Sequence, residues 1–434
     1  MSVYDYQQAF GVWDVTSRAM REAVGEWFDL YYRSNADAGH DPNQRIAYAV
    51  VGKLVRTVFA EYKLSVTDPV LGRFLKPLED IKKDAVQLAL VGGECYIKPC
   101  PAKTGFFYTL IPRDRILIFG RDPRGMPTDV GTAETSCRGG FCYTLLERRR
   151  VDEKGLLTIE NRLYRSRNKG ELGLHVSLAS HPLYAQLPEK YTYEKPVGSV
   201  GLVRVKTPML NCVDGSHDGV SVYAAAAGLI RAIDRNEAQM NGEFDRGESR
   251  IIVSRDMLDK DGLTDHVFVG LDEDPERVGI HIFNPELREQ SYLNRKQEYL
   301  RNVESVIGLK RGMLSDVNMD KRTATEVSSS EGEHNLTVMD FQAMWEQAVR
   351  ETAALCGKLA EIYRLGRVED ASLSIDWGNG VLFDEDKQWQ NYLDMVAAGL
   401  LKPEIALGWR FNLPAGTEEE RQRIRERFMP RENG

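Results

Sequence analysis

Asp218-Gly-Val-Ser-Val-Tyr-Ala-Ala-Ala-Ala-Gly-Leu-Ile-Arg-Ala-Ile-Asp-Arg-Asn-Glu-Ala-Gln-Met-Asn-Gly-Glu-Phe244 is the stretch from which the rest of the chain becomes readable. It predicts one long helix with Asp218 as a credible N-cap. At 1.5 Å per residue that helix spans about 40 Å. Its first half repeats apolar residues at helical spacing: Val222, Tyr223, Ala226, Leu229, Ile230 and Ile233. Its second half, Asp234 to Glu243, has almost no apolar stripe. One end is expected inside a domain, and the other where only polar neighbours or further copies of the chain meet it.

Downstream, Arg250-Ile-Ile-Val-Ser, His266-Val-Phe-Val and Val278-Gly-Ile-His-Ile-Phe read as strands between acidic turns such as Asp272-Glu-Asp-Pro-Glu. A second long helix returns from about Pro285 to Ile307, with Leu293, Leu300 and Ile307 seven apart and Val303 on the same stripe. The β module between the helices is about forty residues, too small for comfortable independence, so neighbouring copies are expected to stabilise it. Gly308–Arg322 follows as a loop with Lys310, Arg311, Lys321 and Arg322 at its two ends. Thr323, with Glu326 three residues on, then opens a very long helix to about Leu365, roughly 65 Å if unbroken. Gly332 and the polar run Ser328–His334 mark its expected kink. Leu336, Met339, Ala343, Gln347, Leu355, Leu359 and Ile362 are its expected core stripe.

Upstream, Met20, Val24, Trp27 and Tyr31 recur at helical spacing, as do Ile46, Val50, Leu54, Val58 and Phe59. A third helix is expected from about Asp68 to Leu90. Gly92-Gly93 breaks the pattern, and strand-like runs continue from Cys95 to Val205. The fold class is therefore α+β, with helices first and then a mostly antiparallel sheet. The chain closes with a strand at Leu373–Trp377, a helix from about Asp384 to Ala398, and a helix over Thr417–Phe428. That last helix starts with acids and ends with arginines, as the helix dipole favours. Being nearly all polar, it is expected to be solvated or to face another copy.

The 434 residues carry a formal charge of -8 and are 42% hydrophobic, which excludes disordered and fibrous classes. No stretch approaches the roughly 18 to 20 apolar residues of a membrane span, and no secretory signal is expected at the N-terminus. The acidic balance argues against a basic surface that wraps DNA, but not against one that lets DNA slide past. Cys95, Cys100, Cys137, Cys142, Cys212 and Cys356 are too sparse for a disulfide scaffold. Read as single strands, the five-residue spacings Cys95/Cys100 and Cys137/Cys142 put each pair on opposite faces. Reduced, buried or half-buried thiols are expected, with zinc the weaker alternative because structural sites usually space their cysteines more tightly.

Chemistry-bearing motifs are scarce. Phosphate-loop, His-Glu-x-x-His and Gly-x-Ser-x-Gly patterns do not occur, and the seven histidines lie in no metal-ligand spacing. Asp316-Val-Asn-Met-Asp320 with Glu326 approaches a calcium loop, but Lys321 stands where the sharp-turn glycine belongs and the glutamate falls one residue early. No cofactor is expected. Lys310, Arg311, Lys321 and Arg322 are a local charge reversal that either is ordinary loop solvation or reaches a polyanion, which needs no sequence motif.

Taken in order, these segments resemble the portal proteins of tailed bacteriophages, especially siphophages of Gram-positive hosts. The resemblance rests on Gly219-Val-Ser-Val-Tyr-Ala-Ala-Ala, Ala232-Ile-Asp-Arg-Asn and Asn241-Gly-Glu-Phe-Asp-Arg-Gly-Glu-Ser-Arg-Ile-Ile-Val. It rests also on Lys321-Arg-Thr-Ala-Thr-Glu-Val and, upstream, Val91-Gly-Gly-Glu-Cys-Tyr-Ile-Lys. It runs from about residue 10 to 410. It implies a portal fold with wing (1–217), first stem helix (218–245), small β-rich clip (246–284), second stem helix (285–307) and tunnel loop (308–322). A long kinked helix (323–366), a C-terminal wing part (367–414) and a short helical crown (415–434) complete it. It further implies a ring, typically of twelve copies, at one capsid vertex of the virion, assembled in the host cytoplasm. Duplex DNA would then pass the channel in both directions. Partners would be the terminase large subunit, the major capsid protein or scaffold, and a head-completion adaptor, with no membrane and no covalent chemistry. Lys310, Arg311, Lys321 and Arg322 would face the channel. Arg250, Ile251, Val253, Val267 and Val269 would form the clip docking surface. The rival expectations are another phage head structural or adaptor protein, and a soluble enzyme whose acids lie far apart in sequence.

Overall fold

A computed structural model describes residues 3–32, 42–247, 250–254, 268–271, 281–283, 286–316, 324–368, 373–378, 385–411 and 413–429. The chain divides into two units, Met1–Asp376 and Trp377–Gly434.

In the first unit, α1 (Val3–Phe10), α2 (Arg18–Tyr31) and α3 (Ile46–Val58) lead through β1 (Lys63–Val66) to α4 (Pro69–Gly92). The apolar stripes that make these segments helical are the ones they bury: Met20, Val24 and Trp27; Ile46, Val50, Leu54 and Val58; Phe74, Leu78 and Ala85. The Ser17 hydroxyl caps α2 by accepting from the Met20 amide at 3.1 Å, and Asp68 caps α4. Then the period changes to two. β2 (Glu94–Pro101) and β3 (Phe106–Pro112) form a hairpin, and β4 (Ile116–Arg121), β5 (Pro127–Arg138), β6 (Phe141–Val151), β7 (Leu157–Ser166), β8 (Leu174–Val176) and β9 (Lys190–Thr192) make a six-stranded antiparallel sheet. β10 (Val203–Lys206) returns to pair with β2.

α7 (Ala324–Tyr363) packs against α3 and α4 and under β2 and β10, burying Val338, Phe341, Trp345, Val349, Leu355 and Leu359. Trp27, Trp345, Tyr223 and Phe74 are fully buried, each contributing roughly 1.5–3 kcal/mol by leaving water. α1 lies on the six-stranded sheet, where Tyr6 and Ala9 meet Leu117, Leu146 and Tyr164. Between β10 and α7 come α5 (Ala227–Arg246), β11 (Arg250–Ser254), β12 (Phe268–Leu271), β13 (His281–Phe283) and α6 (Glu289–Ile307). β11 is central in its sheet, parallel to β12 and antiparallel to β13. β14 (Leu373–Asp376) pairs antiparallel with β1.

The second unit holds α8 (Glu385–Ala397), α9 (Pro403–Arg410) and α10 (Glu418–Phe428). Thr417 and Glu420 form a reciprocal capping box at the start of α10. Ile424 is buried, Arg425 pairs with Glu404, and Phe411 stacks on Phe428 at 4.5 Å. α10 is thus packed on α9 through one apolar residue rather than wholly solvated.

Three sequence expectations are corrected. Asp218 caps no helix: α5 begins at Ala227, and the Asp218 carboxylate is buried between Arg113, at 3.1 Å, and Arg121. Two guanidinium groups outcompete backbone amides for that carboxylate, so residues 218–223 cross the end of α4 in non-helical form. Cys137 and Cys142 are not on opposite faces of one strand but joined as a disulfide. The chain reverses between them at Gly139-Gly140, both at positive φ, so the two are cross-strand neighbours on β5 and β6. Leu336, Met339, Ala343 and Gln347 are exposed, because α7 turns the neighbouring stripe through Val338, Phe341 and Trp345 inward. α7 itself is helical over Ala324–Tyr363.

Candidate functional site

Over residues 236–243 of α5, polar side chains join it to α6. The Asn236 side-chain amide, buried, donates to the Tyr292 carbonyl at 3.1 Å. Lys296 bonds Glu237 at 2.9 Å, and Arg288 grips the Glu243 carboxylate with two guanidinium contacts at 3.2 and 2.7 Å. Positions 236, 237 and 243 meet 292, 296 and 288, so the two helices run antiparallel. The polar second half of α5 therefore has its partner in the same chain. Arg288's hydrogen bonds, with that of the Tyr292 hydroxyl, hold the Glu243 carboxyl down to about 2. At the other end of the pair, Leu300, Val303 and Ile307 of α6 and Ile230 and Ile233 of α5 are buried, as their spacing predicts.

The loop after α6 has a firm root. Gly308 ends the helix at φ +75, where a Cβ would strike the Thr337 side chain, so glycine is required. Leu309 folds back into the core. The buried Glu304 carboxylate then gathers the amides of Gly312 (3.1 Å) and Ser315 (2.9 Å), together with that of Leu314 at 2.5 Å and the Ser315 hydroxyl at 2.8 Å. Four donors on one carboxylate fix residues 312–315 to the last turns of α6. His334 of α7 places Nδ1 3.3 Å from the Gly308 carbonyl, and burial pushes its pKa below the usual imidazole value.

Lys310 and Arg311 lie on this rooted loop, Lys310 half-buried and Arg311 exposed, and both have interaction partners. Lys321 and Arg322 fall outside the described residues, as do Asn318 and Asp320 of the calcium-like run. Asp316 itself exchanges two hydrogen bonds with Gln297 at 2.8 Å. Arg250, Ile251 and Val253 lie on β11 and Val269 on β12, with Ile252 opposite Val269 in the parallel register. Val267 falls outside the described residues. Among the described residues no three His, Cys, Asp or Glu side chains are grouped to hold a metal, and no helix is long and apolar enough to cross a membrane.

A buried charge network escaped the sequence reading. Glu94, at the first position of β2, pairs with Arg204 of β10 and accepts from the Tyr96 hydroxyl at 2.6 Å and the Gly219 amide at 2.6 Å. Gly93 and Gly219 lie backbone against backbone, leaving no room for a Cβ on either. Burial alone would raise the Glu94 pKa, but Arg204 and Arg113 bring it down to about 2. This network ties the α4–β2 junction to the segment that leads into α5. The close Gly93–Gly219 approach was signalled only by the Gly92-Gly93 and Asp218-Gly219 glycines. Glu94 and Arg204 lie 110 residues apart and carry no local pattern.

Two long antiparallel helices joined in part by polar contacts, with a small β module between them in sequence and a rooted loop beyond, are thus the frame of this region. Over residues 164–427, more than half of its length, the chain matches the family described as phage portal protein, SPP1 Gp6-like. It belongs to that family of bacteriophage portal proteins, which is structural rather than enzymatic. No curated protein matches the chain. Among solved structures it is similar to a chain of the neck of a native GTA particle computed with C12 symmetry. The identity is 14% and the TM-score 0.48, covering 95% of this chain and 99% of the other.

Proposed function

We propose that copies of this chain close into a ring, twelve in number, at one vertex of the capsid, and that the ring is the conduit for duplex DNA. Terminase drives DNA inward through it during packaging, and the genome leaves by the same path. The proposed division of labour takes residues 1–217, 323–366 and 367–414 as the wing and α5 and α6 as the stem. The 246–284 module is the clip, 308–322 the channel loop and 415–434 a short crown. The observation that carries this reading is the antiparallel α5–α6 pair with a β module between its two helices, in a chain of the portal family.

Lys310, Arg311, Lys321 and Arg322 are proposed to touch the phosphate backbone briefly as it passes. The net charge of -8 per copy keeps the rest of the wall from holding it. Arg250, Ile251, Val253, Val267 and Val269 are proposed to lie on the surface that docks the terminase large subunit and later the head-completion adaptor. The wing meets the major capsid protein or scaffold. Assembly takes place in the host cytoplasm, and the finished ring stays in the virion. In a reconstituted packaging reaction, replacing Lys310, Arg311, Lys321 and Arg322 by Ala is expected to cut packaged DNA severely while leaving assembled rings unchanged. Wild-type packaging by the quadruple variant defeats the loop assignment.

A further inference from the structure

The flank of the α5–α6 pair carries a cleft of about 650 Å³ whose lining is Arg235, Arg288 and Arg295 with Tyr292, Tyr299, Ser291 and other polar residues. Among the described residues no carboxylate lines it. Arg288 is committed to Glu243, but among the described residues Arg235 makes no ion pair or side-chain hydrogen bond. Arg295 donates only to the Tyr299 hydroxyl, at 2.9 Å, with its guanidinium over that ring at 5.3 Å. The Arg295 contact uses Nε and leaves the two terminal nitrogens facing no acceptor. In a chain with eight more negative than positive charges, three clustered arginines without an acid in the lining run against the overall balance.

We infer that this cleft binds the phosphate backbone of duplex DNA. Planar guanidinium forks suit phosphate oxygens, and the Tyr299 and Ser291 hydroxyls add neutral donors, the Tyr292 hydroxyl being committed to Glu243. Arg288, Arg295 and Tyr299 lie seven and four residues apart along one face of α6, a row of roughly 16 Å, which exceeds the spacing of successive phosphates on one strand. A second copy of the chain is the competing occupant. Protein interfaces centre on buried apolar anchors, and this lining is cationic and hydroxylic instead. The inference rests on the conduit reading above and adds a second phosphate contact, on the stem rather than on the loop.

The test uses the purified full chain, wild type and two double variants, Arg235→Ala with Arg295→Ala and Arg235→Lys with Arg295→Lys. Binding of a short mixed-sequence duplex is followed by fluorescence anisotropy across a salt series, and particle mass is measured on the same samples. Each lost phosphate contact is expected to lower the salt slope by about one, and the Ala pair to lose about tenfold or more in affinity at low salt. The Lys pair should keep most of the affinity, and the particle mass should not change. Equal affinity and slope for wild type and the Ala pair overturn the inference. So does loss of assembly in the Ala pair with undiminished DNA binding, which would assign the cleft to a neighbouring copy. The cleft lies within one chain. A wild-type chain that binds duplex through these arginines without ever forming rings therefore counts against the proposed function and not against the cleft.

Discussion

Glu147 shows how single residues set the stability of the sheets. Its carboxylate is buried and gripped by Lys98 of β2 at 2.8 Å and Arg149 of its own strand at 2.7 Å. Burial alone would raise its pKa, but Arg149 and Lys98 bring it down to about 2. A carboxyl depressed in the folded state contributes stability that is fully present above its unfolded value and is lost as pH falls through the folded one. The shift from about 4.3 to about 2 corresponds to about 3 kcal/mol, lost between roughly pH 4.5 and 2. Glu94 loses its contribution over the same window. Glu147→Gln is therefore expected to lower unfolding free energy by about 3 kcal/mol at neutral pH, because Lys98 and Arg149 lose their counter-charge. It should also flatten the loss of stability below pH 4.5; denaturant melts at several pH values read both effects. An unchanged melt, or an equally steep acid limb, contradicts the assignment. Nothing in the sequence pairs Glu147 with Lys98, since the bond crosses between sheets and depends on tertiary placement alone.

At the scale of elements, what was legible depended on whether a single segment carried its own signal. The stripes of α2, α3 and α4 are buried or half-buried as their periodicity selects, and the start of α10 was marked by its run of acids, although its capping box went unread. The α7 stripe was misphased because its early half offers two rows of comparable character, Leu336–Met339–Ala343 and Val338–Phe341–Trp345. Only the helices and strands beneath decide between them. The β5–β6 hairpin had a readable signal, Gly139-Gly140 between strand-like runs, which places Cys137 opposite Cys142 once the turn is taken into account. Alkylation of the folded protein is expected to mark exposed Cys212 first and to reach Cys137 and Cys142 only after reduction. Peptide mapping that finds both free without reductant contradicts the bridge. The loop after α6 gives a further test. Glu304→Ala removes the acceptor of three amides and one hydroxyl. Hydrogen exchange at Gly312, Leu314 and Ser315 should then accelerate by tenfold or more, in line with the roughly 1–3 kcal/mol cost of an unmet buried donor. Exchange in the first turns of α6 should hardly change. Unaltered exchange at those three amides would show that the loop is fixed by something else.

For the whole molecule, the ordered set of segments was more informative than any motif. A long helix, a small β module, a returning helix, a loop and a very long helix could be read in sequence, and membership in the portal family agrees with that order. The start of the first long helix was misplaced because Asp218 looks like a cap until its buried arginine partners are known. The cleft on the α5–α6 pair was not legible, because Arg288 and Arg295 lie more than fifty residues from Arg235 along the chain and meet it only when the two helices pair. On the proposed reading, a chain whose α5–α6 pair is joined in part by polar contacts, and whose small β module lies between those helices in sequence, finds its remaining stability in further copies of itself. Electron micrographs of the purified full-length chain test that claim most directly. The account predicts closed rings of uniform subunit number with a stain-filled central hole in top view. Particles that stay single and never close into rings, at any protein concentration or salt, would contradict it.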